Sequence, residues 1–86
     1  MDDSAVARLV TSIFEDAIRV GASDIHIEPQ ESKLIVRFRI DGIMHASMEA
    51  EPKIAPALLM KLKIISGLNI SEKRLPQDGR FTLRLR

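Results

Sequence analysis

The sequence contains no cysteine, tryptophan or tyrosine, and phenylalanine occurs only three times in 86 residues. Without cysteine the chain forms no disulfide and offers no thiolate to a metal ion, which fits a reducing compartment. Proteins that bind single-stranded nucleic acid stack bases on aromatic side chains, so the low aromatic content argues against that class. The functional chemistry is therefore expected to come from charged side chains.

Several longer sequence signals are also missing. No apolar run approaches the roughly 20 residues that a membrane-spanning helix needs, and the first residues lack the basic and apolar segments of a signal peptide. The sequence contains neither a GxxxxGK phosphate loop followed by Ser or Thr nor a GxGxxG fingerprint. We therefore expect a soluble, cytoplasmic chain with no catalytic residue and no metal site of its own.

The charge is unevenly distributed, although the net charge is only +1. Residues 1–52 contain five Lys/Arg and ten Asp/Glu, which gives −5, whereas residues 53–86 contain eight and two, which gives +6. A basic segment suits nucleic acid, an anionic lipid surface, a polyphosphate ligand or an acidic neighbour, and it is also compatible with simple solvation. Charge alone leaves these alternatives open.

The spacing of apolar residues predicts a helix near the start of the chain. Apolar side chains recur every three or four residues from Val6 to Ala17, as they do in a helix with one buried face. The residues at positions 2–4 are N-cap candidates, and Gly21 is expected just beyond the C-terminus in the left-handed conformation. We expect this helix to be a packing element.

A short strand is predicted for Ser23–Glu28. Its two isoleucines point one way and its polar residues point the other, namely Asp24, His26 and Glu28. Such a polar side suggests metal ligands or an acid–base pair, or alternatively a polar surface on which His26 is hydrogen-bonded to a neighbour. No second cluster of ligands completes a metal site, so the polar surface is favoured.

Residues 34–46, LIVRFRIDGIMHA, predict a β-hairpin. Apolar residues alternate with Arg37 and Arg39, so the first strand turns its apolar side chains one way and both guanidinium groups the other. Asp41-Gly42 follows at once, and an Asp-Gly pair suits a type I′ turn because both central residues need positive φ. The returning strand is expected to reach Met48.

A second helix is predicted after the hairpin. Glu49–Pro52 is expected to end the sheet, and Pro52 or Pro56 is expected in the first helical turn, where proline is tolerated. Gly67 is the expected residue just beyond the helix C-terminus. The predicted buried stripe consists of Ile54, Leu58, Leu62 and Ile65.

A polar loop and a final strand complete the chain. Residues 71–79 are polar and contain turn-forming proline and Asp-Gly. Phe81, Leu83 and Leu85 then alternate with polar residues, which predicts a half-buried strand. Because natural domains rarely leave a strand edge uncovered, the sequence is expected to be a piece of a longer protein.

Four arginines are candidates for anion binding, namely Arg37, Arg39, Arg74 and Arg80. A guanidinium group is permanently charged and shaped for bidentate contact with phosphate oxygens. If the last strand lies near the hairpin, three of these side chains converge on one anionic group. The alternative is that each arginine pairs with a nearby carboxylate, such as Asp24, Glu28 or Asp41.

Three segments together resemble one family: GASDIHIEP at 21–29, RFRIDGIMH at 37–45 and LKIISGLNISEKRLPQDGRF at 62–81. They are similar to the domain that precedes the motor core in the secretion ATPases of type II secretion and type IV pilus assembly. The resemblance implies one α+β domain over 1–86, a PAS-like module. Its expected antiparallel sheet carries two helices in the order α-β-β-β-α-β and is truncated at the C-terminal strand. The RecA-like ATPase domain that follows in the family is absent here.

The resemblance also implies a role for the four arginines. In that family ATP, with Mg, lies between this module and the motor domain, and arginines of the module reach the phosphates when the cleft closes. Arg37 and Arg39 match the RFRIDG segment, and Arg74 and Arg80 match EKRLPQDGR. These four are therefore candidate ATP-phosphate contacts, while hydrolysis belongs to the domain that is absent.

The implied partners are the protein's own RecA-like domain, adjacent subunits of a homohexamer, and inner-membrane secretion or pilus assembly proteins. The expected location is cytoplasmic, peripheral to the bacterial inner membrane through those partners. The cyclic di-GMP-binding domain of some family members lies outside this chain, so no such binding is expected, and neither is nucleic-acid binding. The alternatives are a stand-alone basic nucleic-acid-binding module and a protein-docking module.

Overall fold

The structure, a computed structural model, describes residues 3–66 and 80–85. Gly67, the loop at 71–79 and Arg74 lie outside these residues, as does the side chain of Ile65. The predicted α+β class and element order are confirmed. The elements are α1 (Asp3–Val20), β1 (Asp24–Pro29), β2 (Leu34–Ile40), β3 (Ile43–Ala50), a 3₁₀ turn (Pro52–Ile54), α2 (Ala55–Ser66) and β4 (Phe81–Arg84).

The four strands form one antiparallel sheet in the order β3-β2-β1-β4. The chain therefore places β1, which comes first in sequence, between the hairpin and the last strand. β1 pairs Ile25 with Phe38 of β2 on one side and with Leu83 of β4 on the other. Because side chains alternate along each strand, these three residues lie on the same side of the sheet.

Both helices pack on that side, which we call the core face. The spacing that predicted α1 is confirmed, because its apolar stripe is buried against the sheet. Leu58 and Leu62 of α2 are fully buried, which confirms the centre of the second predicted stripe, and Ile54 packs partly buried at its edge. The core consists of Val6, Val10, Ile13, Ala17, Ala22, Ile25, Ile27, Leu34, Val36, Phe38, Ala55, Leu58, Leu59, Leu62, Phe81 and Leu83.

The predicted turns are confirmed by their backbone angles. Asp41 has φ of 51° and Gly42 has φ of 81°, as the two central residues of a type I′ turn require. Gly21, just after α1, has φ of 72°, the left-handed conformation that commonly ends a helix. The hairpin turn and the end of α1 are thus both specified by short-range sequence.

The prediction that Glu49–Pro52 ends the sheet is wrong at its first two residues, because β3 continues to Ala50. The register shifts between Val36 and Arg37, so that Met48 opposes Val36 and Ala46 opposes Arg37. Ser47 is therefore an extra residue on β3, which makes a β-bulge opposite Val36 and Arg37.

The start of the second helix has two parts. Pro52 begins the 3₁₀ turn and Pro56 lies in the first turn of α2. Both positions suit proline because the first turn of a helix needs no backbone N–H donor. The two prolines thus share the role that the sequence assigned to one of them.

Candidate functional site

The side of the sheet opposite the helices carries most of the charged residues that the sequence singled out. We call it the polar face and define it by side chains on three strands and on the residue before β4. Within it, Asp24 is opposite Arg39 on β2 and Arg84 on β4, and His26 is opposite Arg37 and Thr82. The polar face consists of Asp24, His26, Glu28, Arg37, Arg39, Arg80, Thr82 and Arg84.

Residues that lie opposite each other on neighbouring strands form rows across the polar face. In the first row, an acid lies between two arginines. Asp24 Oδ2 lies 3.8 Å from Arg39 Nε, and Asp24 Oδ1 lies 3.5 Å from Arg84 Nε. The Ser23 hydroxyl donates to Asp24 Oδ2 at 2.8 Å, which fixes the carboxylate. Asp24 is buried, with 8% of its surface exposed, and the two guanidinium groups compensate its charge.

The second row places an imidazole between an arginine and a hydroxyl. Arg37 Nε donates diagonally to Glu28 Oε1 at 3.2 Å, a contact that neighbouring strands allow. His26 Nδ1 and Thr82 Oγ1 share a hydrogen bond of 3.2 Å, which supports the interpretation of His26 as hydrogen-bonded to a neighbour. In the part of the chain that the structure describes, the buried His26 Nε2 has no hydrogen-bond partner.

The surroundings of His26 favour its neutral form. Burial lowers the pKa of His26 below its ordinary value of 6.5, and the charges of Arg39 and Arg80 lower it further. Asp24 and Glu28 act in the opposite direction without cancelling the effect. Arg80, which directly precedes β4, is thus one of the charges that act on His26.

This lowered pKa predicts an acid-sensitive contribution to stability. The unfolded chain binds a proton at His26 near pH 6.5, whereas the folded chain resists it, so the contribution is present above pH 6.5 and is lost as pH falls through the lower folded pKa. We expect the His26→Asn variant, which can keep a bond to Thr82, to lose less stability than wild type between pH 7 and 5 in urea unfolding. His45→Asn, at an exposed position of the hairpin, is the control and should behave as wild type.

Nuclear magnetic resonance titration measures the same quantity directly. The imidazole protons of His26 should titrate with a midpoint below 6.5. A midpoint at or above that value would contradict the described surroundings.

The charge of the polar face suits an anion better than a cation. Across β1, β2, β4 and the residue before β4, four arginines and two carboxylates leave an excess of two positive charges (four minus two) on the polar face. Among residues 3–66 and 80–85, no group of three His, Cys, Asp or Glu side chains is placed to hold a metal ion. Within the same residues, no helix is long and apolar enough to cross a membrane.

Comparison with known protein families matches residues 1–86 to the family described as "Type II/IV secretion system protein". The chain belongs to this family. It is 45% identical over 84 residues to "Type II secretion system protein E" of Pseudomonas aeruginosa and 50% identical over 84 residues to "Type IV pilus assembly ATPase PilB" of Myxococcus xanthus. Each alignment covers 98% of this chain, but only 17% and 15% of those two relatives.

For this secretion-family chain, the structure brings together part of the predicted arginine set. Arg37 and Arg39 share the polar face. Arg37 is ion-paired with Glu28 and Arg39 with Asp24, which is the alternative that the sequence left open. Arg80, directly before β4, is an exposed residue of the same face. The sequence left open whether the last strand lies near the hairpin; β4 pairs with β1, and the acids of β1 lie between the two sets of arginines.

One arginine of the polar face, Arg84, was not among the candidates that the sequence singled out. Arg84 lies on β4 in the same alternation as Arg80 and contacts Asp24 at 3.5 Å. The signal was present in the RFTLRLR pattern, since a strand with buried Phe81 and Leu83 must place Arg84 on the opposite side. Only the register of β4 against β1 shows which acid it meets.

Proposed function

We propose that this chain is the regulatory module of an ATPase that powers type II secretion or type IV pilus assembly. Its polar-face arginines contact the phosphates of ATP, bound with Mg mainly by a neighbouring motor domain. The observation that carries the proposal is the clustering of Arg37, Arg39 and Arg80 on the face that the helices leave uncovered. The family membership and the printed description of the Myxococcus relative as an ATPase support it.

The geometry is suited to a change of partner. The side chain of Arg37 is 34% exposed and that of Arg39 is 40% exposed, and each contacts its carboxylate through Nε. The Arg37–Glu28 pair is partly exposed, and such pairs contribute only about 0–1 kcal/mol, so exchanging its carboxylate for a phosphate group with more charge costs little. Asp24 is buried, but it keeps Arg84 as a partner when Arg39 moves to a phosphate. The carboxylates thus keep the guanidinium groups oriented on rigid strands before the phosphates arrive.

Contact of these arginines with ATP would couple nucleotide state to domain position. A ligand that bridges two domains binds the closed arrangement more tightly and therefore shifts the population toward it. Arginines aimed at the phosphates also stabilise charge that develops during phosphoryl transfer. The proposed result is a nucleotide-driven movement of this PAS-like module against the motor.

The proposed assembly follows from the same reasoning. The module contacts its own RecA-like motor domain and adjacent subunits of a homohexamer, and through inner-membrane secretion or pilus assembly proteins it is held at the cytoplasmic side of the membrane. Arg74 belongs to the proposed set of phosphate contacts by its match to the EKRLPQDGR segment. The chain itself supplies no hydrolytic residue in this proposal.

Arginine modification in the full-length protein tests this contact. With phenylglyoxal and mass spectrometry, Arg37, Arg39 and Arg80 should be protected when Mg-ATP is bound. Arg19 on α1, whose side chain is 70% exposed beside Asp16, is the matched control and should react equally in both states. Equal modification of the three polar-face arginines with and without nucleotide would count against the proposal.

The alternative of nucleic-acid binding is separated by salt dependence. Binding that relies on many phosphate contacts weakens steeply as salt rises. Carboxylates lie between the arginines of the polar face, and such interleaved negative charge opposes a long polyanion more than a compact one. Tight, steeply salt-sensitive binding of DNA or RNA would favour the alternative.

A further inference from the structure

Asp24 is held from both sides by arginines on different strands. Arg39 on β2 and Arg84 on β4 are both its direct cross-strand neighbours. The two arginine backbones lie two strand spacings apart, about 9.5 Å, yet both Nε atoms come within 3.8 Å of one carboxylate. The two guanidinium groups therefore converge on a single position above β1.

The backbone under this position is fixed by hydrogen bonds on both sides. The Ser23 N–H donates to the Arg39 carbonyl at 2.9 Å, and the Leu85 N–H donates to the Ser23 carbonyl at 2.8 Å. Three strands are thus joined directly beside Asp24. The convergence of the two arginines is a property of this register.

The side chain of Asp24 is much less exposed to solvent than those of the two arginines that contact it. The side chain of Asp24 is 11% exposed, whereas those of Arg39 and Arg84 are 40% and 67% exposed. The carboxylate lies at the base of the arrangement, Arg39 Nη1 donates to the Gly42 carbonyl at 3.1 Å, and the more exposed Arg84 side chain faces solvent. An anion arriving from solvent would meet the arginines before it met Asp24.

We propose that Arg84 is a further phosphate-contacting residue and that Asp24 is an internal competitor that holds Arg39 and Arg84 until a polyphosphate takes both. This inference rests on the proposed function, because it assumes that the polar face receives phosphate groups. It adds a residue on β4 that sequence reasoning did not select, and it gives Asp24 the role of setting the affinity. Arg84 acts by direct contact, whereas Asp24 acts through the two arginines.

The competition has a simple electrostatic basis. A carboxylate carries one negative charge, and a phosphate group at neutral pH offers more charge and more acceptor oxygens to the same two guanidinium groups. Removing the charge of Asp24 should therefore release both arginines to the ligand. Replacing Arg84 should remove one of the two guanidinium groups without disturbing the contact between Asp24 and Arg39.

Titration of the full-length protein with inorganic triphosphate in the presence of Mg tests the proposal. By isothermal calorimetry, Arg84→Gln should weaken binding about three- to tenfold, the range expected when one exposed charge-assisted contact is lost. Arg19→Gln is the matched control, because Arg19 is similarly exposed and also paired with an aspartate, and it should change the affinity less than about twofold. Asp24→Asn should strengthen binding several-fold.

A second control separates competition from a general gain of positive charge. Glu31→Gln removes a carboxylate from an exposed position outside the polar face and should leave the affinity nearly unchanged. Equal strengthening by Asp24→Asn and Glu31→Gln would overturn the role of Asp24. Amide spectra of each variant establish that the fold is retained, and Arg84→Gln keeps the test decisive if Asp24→Asn does not fold.

The failure of this inference is distinguishable from that of the proposed function. If Arg37→Gln and Arg39→Gln weaken triphosphate binding but Arg84→Gln behaves as Arg19→Gln does, Arg84 is not a contact and the inference is overturned alone. If none of the polar-face arginines affects binding, the proposed function fails as well.

Discussion

Under the proposed function, replacing Arg37, Arg39 or Arg80 singly by glutamine is expected to lower ATP turnover of the full-length protein by about 10²–10³-fold, the range for losing one preorganised donor to a transition state. The physical reason is that a guanidinium group aimed at the phosphates stabilises charge that develops as the phosphoryl group transfers. Turnover of the purified protein at saturating Mg-ATP measures the effect.

The fold should survive these substitutions. The Arg37–Glu28 pair is partly exposed, and such pairs contribute about 0–1 kcal/mol. Asp24, the buried partner of Arg39, keeps its ion pair with Arg84 when Arg39 is replaced. Glutamine also keeps part of the aliphatic stem that covers the sheet. The free energy of unfolding should therefore change by no more than about 1 kcal/mol, so a large loss of turnover reports on chemistry.

Two further measurements make this prediction decisive. Arg19→Gln on α1 is the matched control and should retain wild-type turnover, since its described ion pair is with Asp16. Sedimentation distinguishes loss of turnover from loss of assembly, because a purely docking role for the arginines would disturb the proposed hexamer first. Wild-type turnover in all three polar-face variants would refute the proposed role.

Replacing Phe81 by alanine is expected to remove a large part of the stability of this chain. Phe81 is fully buried at the start of β4 and belongs to the core with Ile27, its cross-strand neighbour. Phe-to-Ala substitutions in cores cost about 3–5 kcal/mol because of lost burial and the cavity that remains. A chain of 86 residues has a total stability on the order of 4–13 kcal/mol, so the loss is nearly all of the stability at the low end of this range and about a third at the high end.

Urea unfolding followed by circular dichroism measures this effect. Ile18→Ala is the control, because Ile18 is 75% exposed on α1, and it should change the free energy of unfolding by less than about 0.5 kcal/mol. Phe81→Leu, which keeps much of the volume, should fall between the two. A cost below about 1 kcal/mol for Phe81→Ala would mean that β4 does not complete the core.

Local sequence was sufficient for most elements of the fold. The apolar spacing of α1 and the Asp41-Gly42 turn depend on residues within a few positions of each other, so pattern and turn chemistry predicted them. The bulge at Ser47 was not predictable in this way. It depends on how β3 lies against β2, and no glycine or proline marks it in the sequence.

The candidate site was predictable in its composition and less so in its arrangement. Alternation identified Arg37 and Arg39 as residues on one side of a strand, and it equally identified the acids of β1. It did not indicate that Asp24 would lie between Arg39 and Arg84, because the sequence of one strand does not specify which strands pair with it. For the same reason the sequence left the pairing partner of β4 open.

By itself, the sequence determined which side chains turn toward the core and which turn away, because the periods of helix and strand are properties of the local backbone. The order of strands in the sheet and their register were decided by the tertiary structure, because they depend on packing between segments far apart in the chain. That register is what sets two arginines from different strands on one buried carboxylate.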